Sequence, residues 1–536
     1  MANNLRSSSN VKAAATAPLP IDTVFKLPSP PPTWPPGGGF ATGEIDLGGL
    51  QVRQVTTFQK ISTTYKGGPA DLGATFLEPS PIPDGFTMLG SYAQPNNQPL
   101  FGWVLVAKTN AVDTSGQIMK HPTDYTLVST NDDAHFWLPT PPDGFRGVGI
   151  VVTASPEKPA LDKICCVRAD FTDEAEAESQ IWGNLHVARP KTNGSNAKLV
   201  SVGTFTIQGN DNNTLIPLSC LINKKSFLSA MPNQAQIEAV FASYAPYIYF
   251  HPDEKYLPSS VNWYFSNGAL LFKKGEESNP VPVLPEGSNL PQGGTNDGLY
   301  WLDLPAKPDG SRVKMGDLPT AVAYLHFKPI LGGSATDIQV WVLYPFNGPA
   351  AAKVGPFKRV ELGKIGEHVG DWEHVTLRIS NLDGTLRSVY FAEHGGGQWV
   401  DSSELEFSGG GNRFSVYSSR NGHAAYPKAG SVMQGGDFVG IRNDAAKSAM
   451  VMDTGARFAV VAGEGVVEPP WLNYYRKWGP TRSYDAVEEL KNVGKFLPGF
   501  LKQQLAKVIN GLPPEVLGED GPIGPKMKNN WDGDEK

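Results

Sequence analysis

Short runs in which apolar and polar residues alternate mark strands in the second half of the chain: IQVWVLYPF, HVTLRI, RSVYFAEH and RFSVYSS, separated by Gly, Asn and Pro. Such a succession between about Asn233 and Val467 predicts a β-sandwich, because alternate side chains then face a shared core. Just before it the period changes. Ile237, Val240, Phe241 and Tyr244 recur at helical spacing after Met231-Pro232, so a helix opens this region. A second helical stripe, Phe500, Leu501, Leu505, Val508, Ile509 and Leu512, follows Ser483, a candidate N-cap, and is expected to pack on the sandwich.

The first half carries a repeat. PSPIPDGFTMLGSYAQPNNQPLFGWVLVAK returns as WLPTPPDGFRGVGIVVTASPEKPALDKICCVRA, aligning Pro83-Asp84-Gly85-Phe86 with Pro142-Asp143-Gly144-Phe145, and Gly90 with Gly149. Trp34-Pro35-Pro36 with Gly39-Phe40 reads as a third, divergent copy. Each unit is a Pro/Gly turn, a short apolar strand, a Pro-containing loop and a β-branched strand. One unit cannot bury its apolar face alone, whereas three around a pseudo-threefold axis can, which predicts a β-prism or β-tripod. The expected organisation is mostly β: a disordered tail over 1–27, a β-prism-like repeat domain over 28–225, a β-sandwich over 226–480, and peripheral helices and a tail over 481–536 packing on the sandwich.

Composition narrows the function classes. A chain of 536 residues exceeds the size at which one core stops growing, so at least two domains are expected. Its 58 Gly and 46 Pro suit many turns between short strands. A formal net charge of -7 and the lack of any Lys/Arg run argue against nucleic acid as a partner. Cys165, Cys166 and Cys220 form no disulfide framework, which fits a reducing, cytoplasmic setting rather than secretion. The first twenty residues lack a signal-type apolar core, Ala2 stands where N-myristoylation needs Gly, and their lack of acidic residues leaves a transit peptide open. No segment has the roughly 20 apolar residues that span a bilayer, so membrane contact is expected to be peripheral.

Chemistry concentrates in GEHVGDWEHVTLRI. Alternation over 371–379 puts Asp371 and Glu373 on one face with Val375, Leu377 and Ile379, so both carboxylates begin an inward row. Adjacent inward carboxylates repel and resist desolvation; they call for a cation, a proton or water. His368 supplies a third donor in an H-x-x-D-x-E arrangement, while His374 falls on the opposite face. His394 and His423 sit where neighbouring strands should end. Mixed imidazole and carboxylate donors suit a divalent cation, Mg²⁺ or Ca²⁺ before Mn²⁺ or Zn²⁺, or else a structural ion-pair network. His251, Asp253 and Glu254 read first as capping the preceding helix and second as an extension of the site. Gly-rich GGGFATG and SGGGN lack the strand and helix setting of phosphate loops.

The segment HVGDWEHV resembles the GHRHDWE heptapeptide of the necrosis- and ethylene-inducing-peptide-like proteins, sharing His368, Asp371, Trp372 and Glu373. Glu393-His394-Gly395-Gly396, Tyr417-Ser418-Ser419 and His423-Ala424 resemble that family's later motifs. The resemblance implies a divalent-cation site on a sandwich that binds a sphingolipid sugar headgroup. Asp371 would be a direct ligand, and His368, Glu373 and His394 would hold the ion directly or through water. His423, Asn347, Trp372 and Trp399 are then expected at the ligand, with Asn347 standing where the family has an Asp. Over nearly its whole length, through GFATGEIDLGGL, YAQPNNQPLFGWVLVA, YAPYIYFHPDEKYLPSS and HVGDWEHVTLRI, the chain is similar to the plant family related to vacuolar protein sorting-associated protein 62. The N-terminal repeat resembles β-prism modules of lipid-transfer proteins and of proteins that associate with endosomal membranes.

The leading expectation is a peripheral binding protein that holds a lipid headgroup or glycan through a divalent ion, at endosomal or vacuolar membranes. A metal-dependent hydrolase using Glu373 or His394 as base or acid is the first alternative. A structural adaptor with a vestigial site is the second.

Overall fold

Two long strands organise the second half. Ala335–Asn347 is buried along its whole length and pairs antiparallel with His368–Ser380, from Ala335 opposite Ser380 to Asn347 opposite His368. Its sequence is apolar on both sides of the alternation: Ile338, Val340 and Val342 face one core, Trp341, Leu343 and Phe346 the other. That double-sided pattern belongs to a strand covered on both faces. The structure, a computed structural model, describes residues 18–535 except 111–116, 132, 192–197, 209–215, 307, 437, 482–483, 494, 496 and 512–520.

These strands sit mid-sheet in the order Gly396–Asp401, Leu386–Glu393, His368–Ser380, Ala335–Asn347, Ala323–Ile330, Phe458–Ala462. One face packs on the helix Gln234–Tyr244 and on a second sheet built around Tyr247–Phe250, which completes the sandwich. Asn233 caps that helix reciprocally with Gln236, and Ile237, Val240, Phe241 and Tyr244 form its buried stripe. The other face carries an aromatic cluster in which Trp372, Trp471 and Trp478 lie 5.2–6.2 Å apart.

A smaller sheet, Phe357–Glu361, Ala351–Val354, Val439–Ala445 and Gly430–Gly435, receives the helix Gly499–Asn510. Leu501, Leu505 and Ile509 bury against Val354, Val439 and Ile441, as the stripe predicts, but Phe500 turns outward and is 58% exposed. A single helix face spans too narrow an arc to bury both Phe500 and Ile509. Ser483 and Leu512 lie outside the described residues.

The N-terminal half is also β, in several small sheets. Its two PDGF turns are the same structure: Phe86 N donates to Pro83 O and Phe145 N to Pro142 O, both at 3.0 Å, with Gly85 and Gly144 at φ 78° and 79°. Only glycine takes that angle without strain. Gly90 and Gly149 then meet backbone to backbone, and a Cβ on either would come within 3.0 Å of the other's Cα. Thr204 closes this contact through its methyl group and an Oγ1 bond of 2.9 Å to Val148 O.

The third stretch at this junction is therefore 202–204, not the entry segment expected there. Phe40 instead enters the sandwich core, and Gly39 and Ala41 are tied to Ser229 and Asn381. The tail expected over 1–27 is ordered where described: Ile21 is buried, and Phe25 packs on Phe101 and Phe407, one from each half. Residues 1–17 lie outside the described residues.

Candidate functional site

The strand His368–Ser380 delivers its side chains as alternation requires. Val375, Leu377 and Ile379 enter the sandwich core, and on the same face Asp371 and Glu373 reach the end of the sheet, where the core gives way to a cavity of about 60 Å³. Asn347, His368, Asp371, Glu373 and His394 all line it, so five of the residues expected from sequence converge. Arg420, Arg442 and Lys528 line it as well.

Asp371 is the most constrained member. It is nearly buried, and its Oδ2 accepts a 2.9 Å hydrogen bond from His423 Nδ1. His423 is fully enclosed and stacks on Tyr344 at 3.9 Å with an interplanar angle of 8°. Its Nε2 has no hydrogen-bond partner among the described residues and lies 4.0 Å from Glu254 Oε1. Glu254 is buried too. Its Oε2 accepts from Asn421 N at 2.6 Å, and its Oε1 accepts from Lys255 N and Tyr256 N.

Backbone strain marks the same place. His394, Asn421 and His423 have φ of 53°, 68° and 57°, the left-handed region that costs a residue with a Cβ roughly 1 kcal/mol or more. Asn421 is held there by Glu254, by its Nδ2 bond to Pro349 O at 2.8 Å and by the Gly348 N bond to its own carbonyl at 2.9 Å.

Electrostatics separate the donors. Burial raises the Asp371 carboxyl, but the His423 hydrogen bond and neighbouring positive charge outweigh it and hold the group below the usual carboxylate range. Burial pushes both His368 and His394 down, which favours neutral imidazoles. His368 Nδ1 donates to Gly370 O at 3.0 Å, so in the neutral ring Nε2 is the lone-pair nitrogen. His394 Nε2 donates to Asn443 Oδ1 at 3.2 Å, so in the neutral ring Nδ1 is the lone-pair nitrogen. The charge of Lys528 acts on Asp371, His368 and His394 alike.

A divalent cation does not fit this arrangement as it stands. Among the described residues no three His, Cys, Asp or Glu side chains come together closely enough to hold one. Asp371 is engaged by His423, Asn347 Nδ2 donates to Gly348 O and Gly366 O, and three cationic side chains share the cavity. Trp372 and Trp399 are not brought to the cavity. Trp372 points to the opposite face and is buried against Trp471 at 5.3 Å. Trp399 lies under the Arg378 guanidinium at 4.0 Å and donates from Nε1 to Glu535 O at 3.1 Å.

Sequence reasoning ranked Glu254 second and missed the cationic lining residues Arg420, Arg442 and Lys528. Glu254 joins the site instead of capping the helix, because the strand Tyr247–Phe250 separates it from the helix end at Tyr244. The signal was present in the HPDE string but the nearer explanation took precedence. Lys528 arrives from a segment more than 150 positions downstream of Asp371, and no local pattern could have announced it.

The fold defines a mostly β protein whose sandwich ends in a polar cavity of carboxylate, imidazole and cationic groups. Residues 21–535 match the family model described as vacuolar protein sorting-associated protein 62, and the chain belongs to that family. No curated protein matches the chain. Among solved structures it is similar to GNIP1Aa from Chromobacterium piscinae, at 17% identity over 37% of this chain and 40% of that one, with a TM-score of 0.27. It is also similar to NLPPya in complex with glucosamine, at 12% identity over 44% of this chain and 78% of that one, TM-score 0.21. A third is necrosis- and ethylene-inducing protein 2 from the causal agent of cocoa's witches' broom disease, at 15% identity over 34% and 76%, TM-score 0.18.

Proposed function

We propose that this protein binds the polar head of a glycan or glycolipid at the Asp371 cavity and works as a peripheral component of an endosomal or vacuolar membrane. The observation that carries the reading is the convergence of an ionised carboxylate, two neutral imidazoles and cationic side chains on one small opening built from strained turns. Acceptors set beside donors match hydroxyl groups, which both donate and accept. A cavity of about 60 Å³ admits one edge of a sugar ring, so the rest of the headgroup stays at the rim.

A divalent cation at the same place is the second reading, favoured by the five expected donors lining one cavity. Asp371, Glu373, His368 and His394 are the residues that would hold it, and it would supply positive charge for a headgroup's oxygens.

Calorimetry with glucosamine and mannosamine, and co-sedimentation with phosphatidylcholine vesicles with and without glucosylceramide, test both readings. Binding by the native chain that weakens at least about tenfold in Asp371→Asn is expected, since a buried charged hydrogen-bond partner is lost. EDTA leaves that binding unchanged if the side chains act alone and abolishes it if the cation is required. Absence of binding to every probe, or equal binding by Asp371→Asn, overturns the assignment.

A further inference from the structure

The Asp371 cavity already holds a positive charge that belongs to the chain. Of the three cationic residues lining it, Arg442 is committed to Asp444 at 2.7 Å, and Arg420 lies 3.6 Å from Asp253. Lys528 forms no ion pair among the described residues, yet its charge reaches Asp371, His368 and His394 together. Its ammonium is therefore the one among the three that no carboxylate of its own neutralises.

Lys528 is kept at this opening by the backbone on either side of it. Its N donates to Pro525 O at 3.1 Å and its O accepts from Trp531 N at 3.0 Å, which sets it in a tight turn. Upstream, Trp478 N donates to Pro522 O at 2.7 Å, and Pro522 and Ile523 line the cavity too. Downstream, Trp531 is buried and stacks on His326 at 3.8 Å, and Lys328 Nζ donates to Asn530 O at 2.8 Å. Anchored at both ends, the segment confines a flexible four-carbon stem to the cavity.

The other lining residues retain the lone pairs that a metal ion would take. Asp371 is engaged by His423 through Oδ2, which leaves Oδ1. Neutral His368 is engaged through Nδ1 and neutral His394 through Nε2, which leaves Nε2 on the first ring and Nδ1 on the second. An ammonium carries a full charge and three N–H donors and accepts nothing, so it serves such lone pairs directly or through water. The two occupants exclude each other. A dication entering the cavity meets the field of Lys528 among buried groups, where like charges repel more strongly than in bulk water.

We propose that Lys528 is the resident cation of this cavity and takes the place of a divalent metal ion, which rests on the reading in which side chains alone meet the headgroup. The C-terminal segment thereby completes the binding site, and removal of the ammonium turns the same lone pairs over to a metal.

Calorimetry and manganese electron paramagnetic resonance on the full chain, stripped with EDTA and then titrated with Ca²⁺ and Mn²⁺ alone, test this. The native chain is expected to bind neither ion at about 1 mM. Lys528→Gln should bind one ion at least about tenfold more tightly than native, while Lys528→Arg, which keeps the charge, should behave as native. The gain should vanish in the double variant Lys528→Gln/Asp371→Asn, which places it in this cavity. Thermal melts within a few degrees of native confirm that the variants fold; if Lys528→Gln fails that control, Lys528→Met decides. Metal uptake by the native chain below about 0.1 mM that is lost in Asp371→Asn overturns the proposal, as does Lys528→Gln binding no more tightly than native. No headgroup enters these titrations, so a failure of the glycan probes leaves their result standing, and metal uptake by the native chain leaves glycan binding to its own probes.

Discussion

Glu535 is a buried carboxylate near the end of the chain, and its replacement by glutamine gives a sharp test of how the closing segment is held. The side chain is fully enclosed against the outer face of the six-stranded sheet. It accepts from Thr376 Oγ1, from His374 Nε2 at 3.1 Å and from Gln339 Nε2 at 2.8 Å, with Lys328 Nζ 4.0 Å away. Burial raises its pKa, but the charge and hydrogen bond of His374, then Lys328 and Thr376, overcome this and bring it from 4.5 down to about 2. At about 1.36 kcal/mol per unit, that difference stabilises docking by about 3 kcal/mol. The folded value is the depressed one, so the contribution is complete above the unfolded value of 4.5 and disappears as pH falls through about 2. Glu535→Gln removes the charge and keeps the shape. At pH 7 it is expected to speed amide exchange over 525–535 by about a hundredfold, 3 kcal/mol of local opening, and to lower urea stability where docking is coupled to global unfolding. The gap between variant and native chain should shrink steadily between pH 4.5 and 2. Exchange within about twofold of native at pH 7, or a gap independent of pH, would refute the reasoning.

Three further outcomes follow from other parts of the fold. Leu505→Ala, at a site 1% exposed between the C-terminal helix and the small sheet, should cost about 2–5 kcal/mol in urea unfolding. Gly149→Ala sets a Cβ 2.7 Å from Leu89 O and 2.8 Å from Gly90 Cα, backbone atoms that cannot turn aside, and should lose about 1–3 kcal/mol, whereas Gly85→Ala is limited by its φ of 78° alone. His326, stacked on Trp531 at 3.8 Å, is held by burial to about 4 from 6.5, so its proton NMR titration should have a midpoint near 4. Here the unfolded state takes up the proton first; stability therefore falls as pH drops from 6.5 to about 4, and His326→Gln should flatten that limb of the unfolding curve.

The site was legible wherever a local rule governed it. Period-two alternation alone put Asp371 and Glu373 on the face of Val375 and sent His374 to the other, and both placements hold in the sheet. The same rule sends Trp372 away from the cavity, so its expected place at the ligand, carried over with a motif, conflicted with the pattern already in hand. His423 was expected at the ligand; that it would bind Asp371 directly depends on a turn with two left-handed residues, whose angles no residue type dictates.

What the chain determines by itself is periodicity and turn chemistry: a double-sided apolar run makes the strand over 335–347 central, and Pro-Asp-Gly-Phe twice makes the same turn twice. These follow from forces acting over a few residues. Tertiary structure alone decides which distant segments share a space. It brings Lys528 to the Asp371 cavity and Glu254 to His423, lays Glu535 on His374, moves Phe40 from the repeat into the sandwich core, and opens a cavity between the halves. Those choices are settled by competition for apolar area and for partners of buried charge across the whole molecule, and such competition leaves no periodic mark on the sequence.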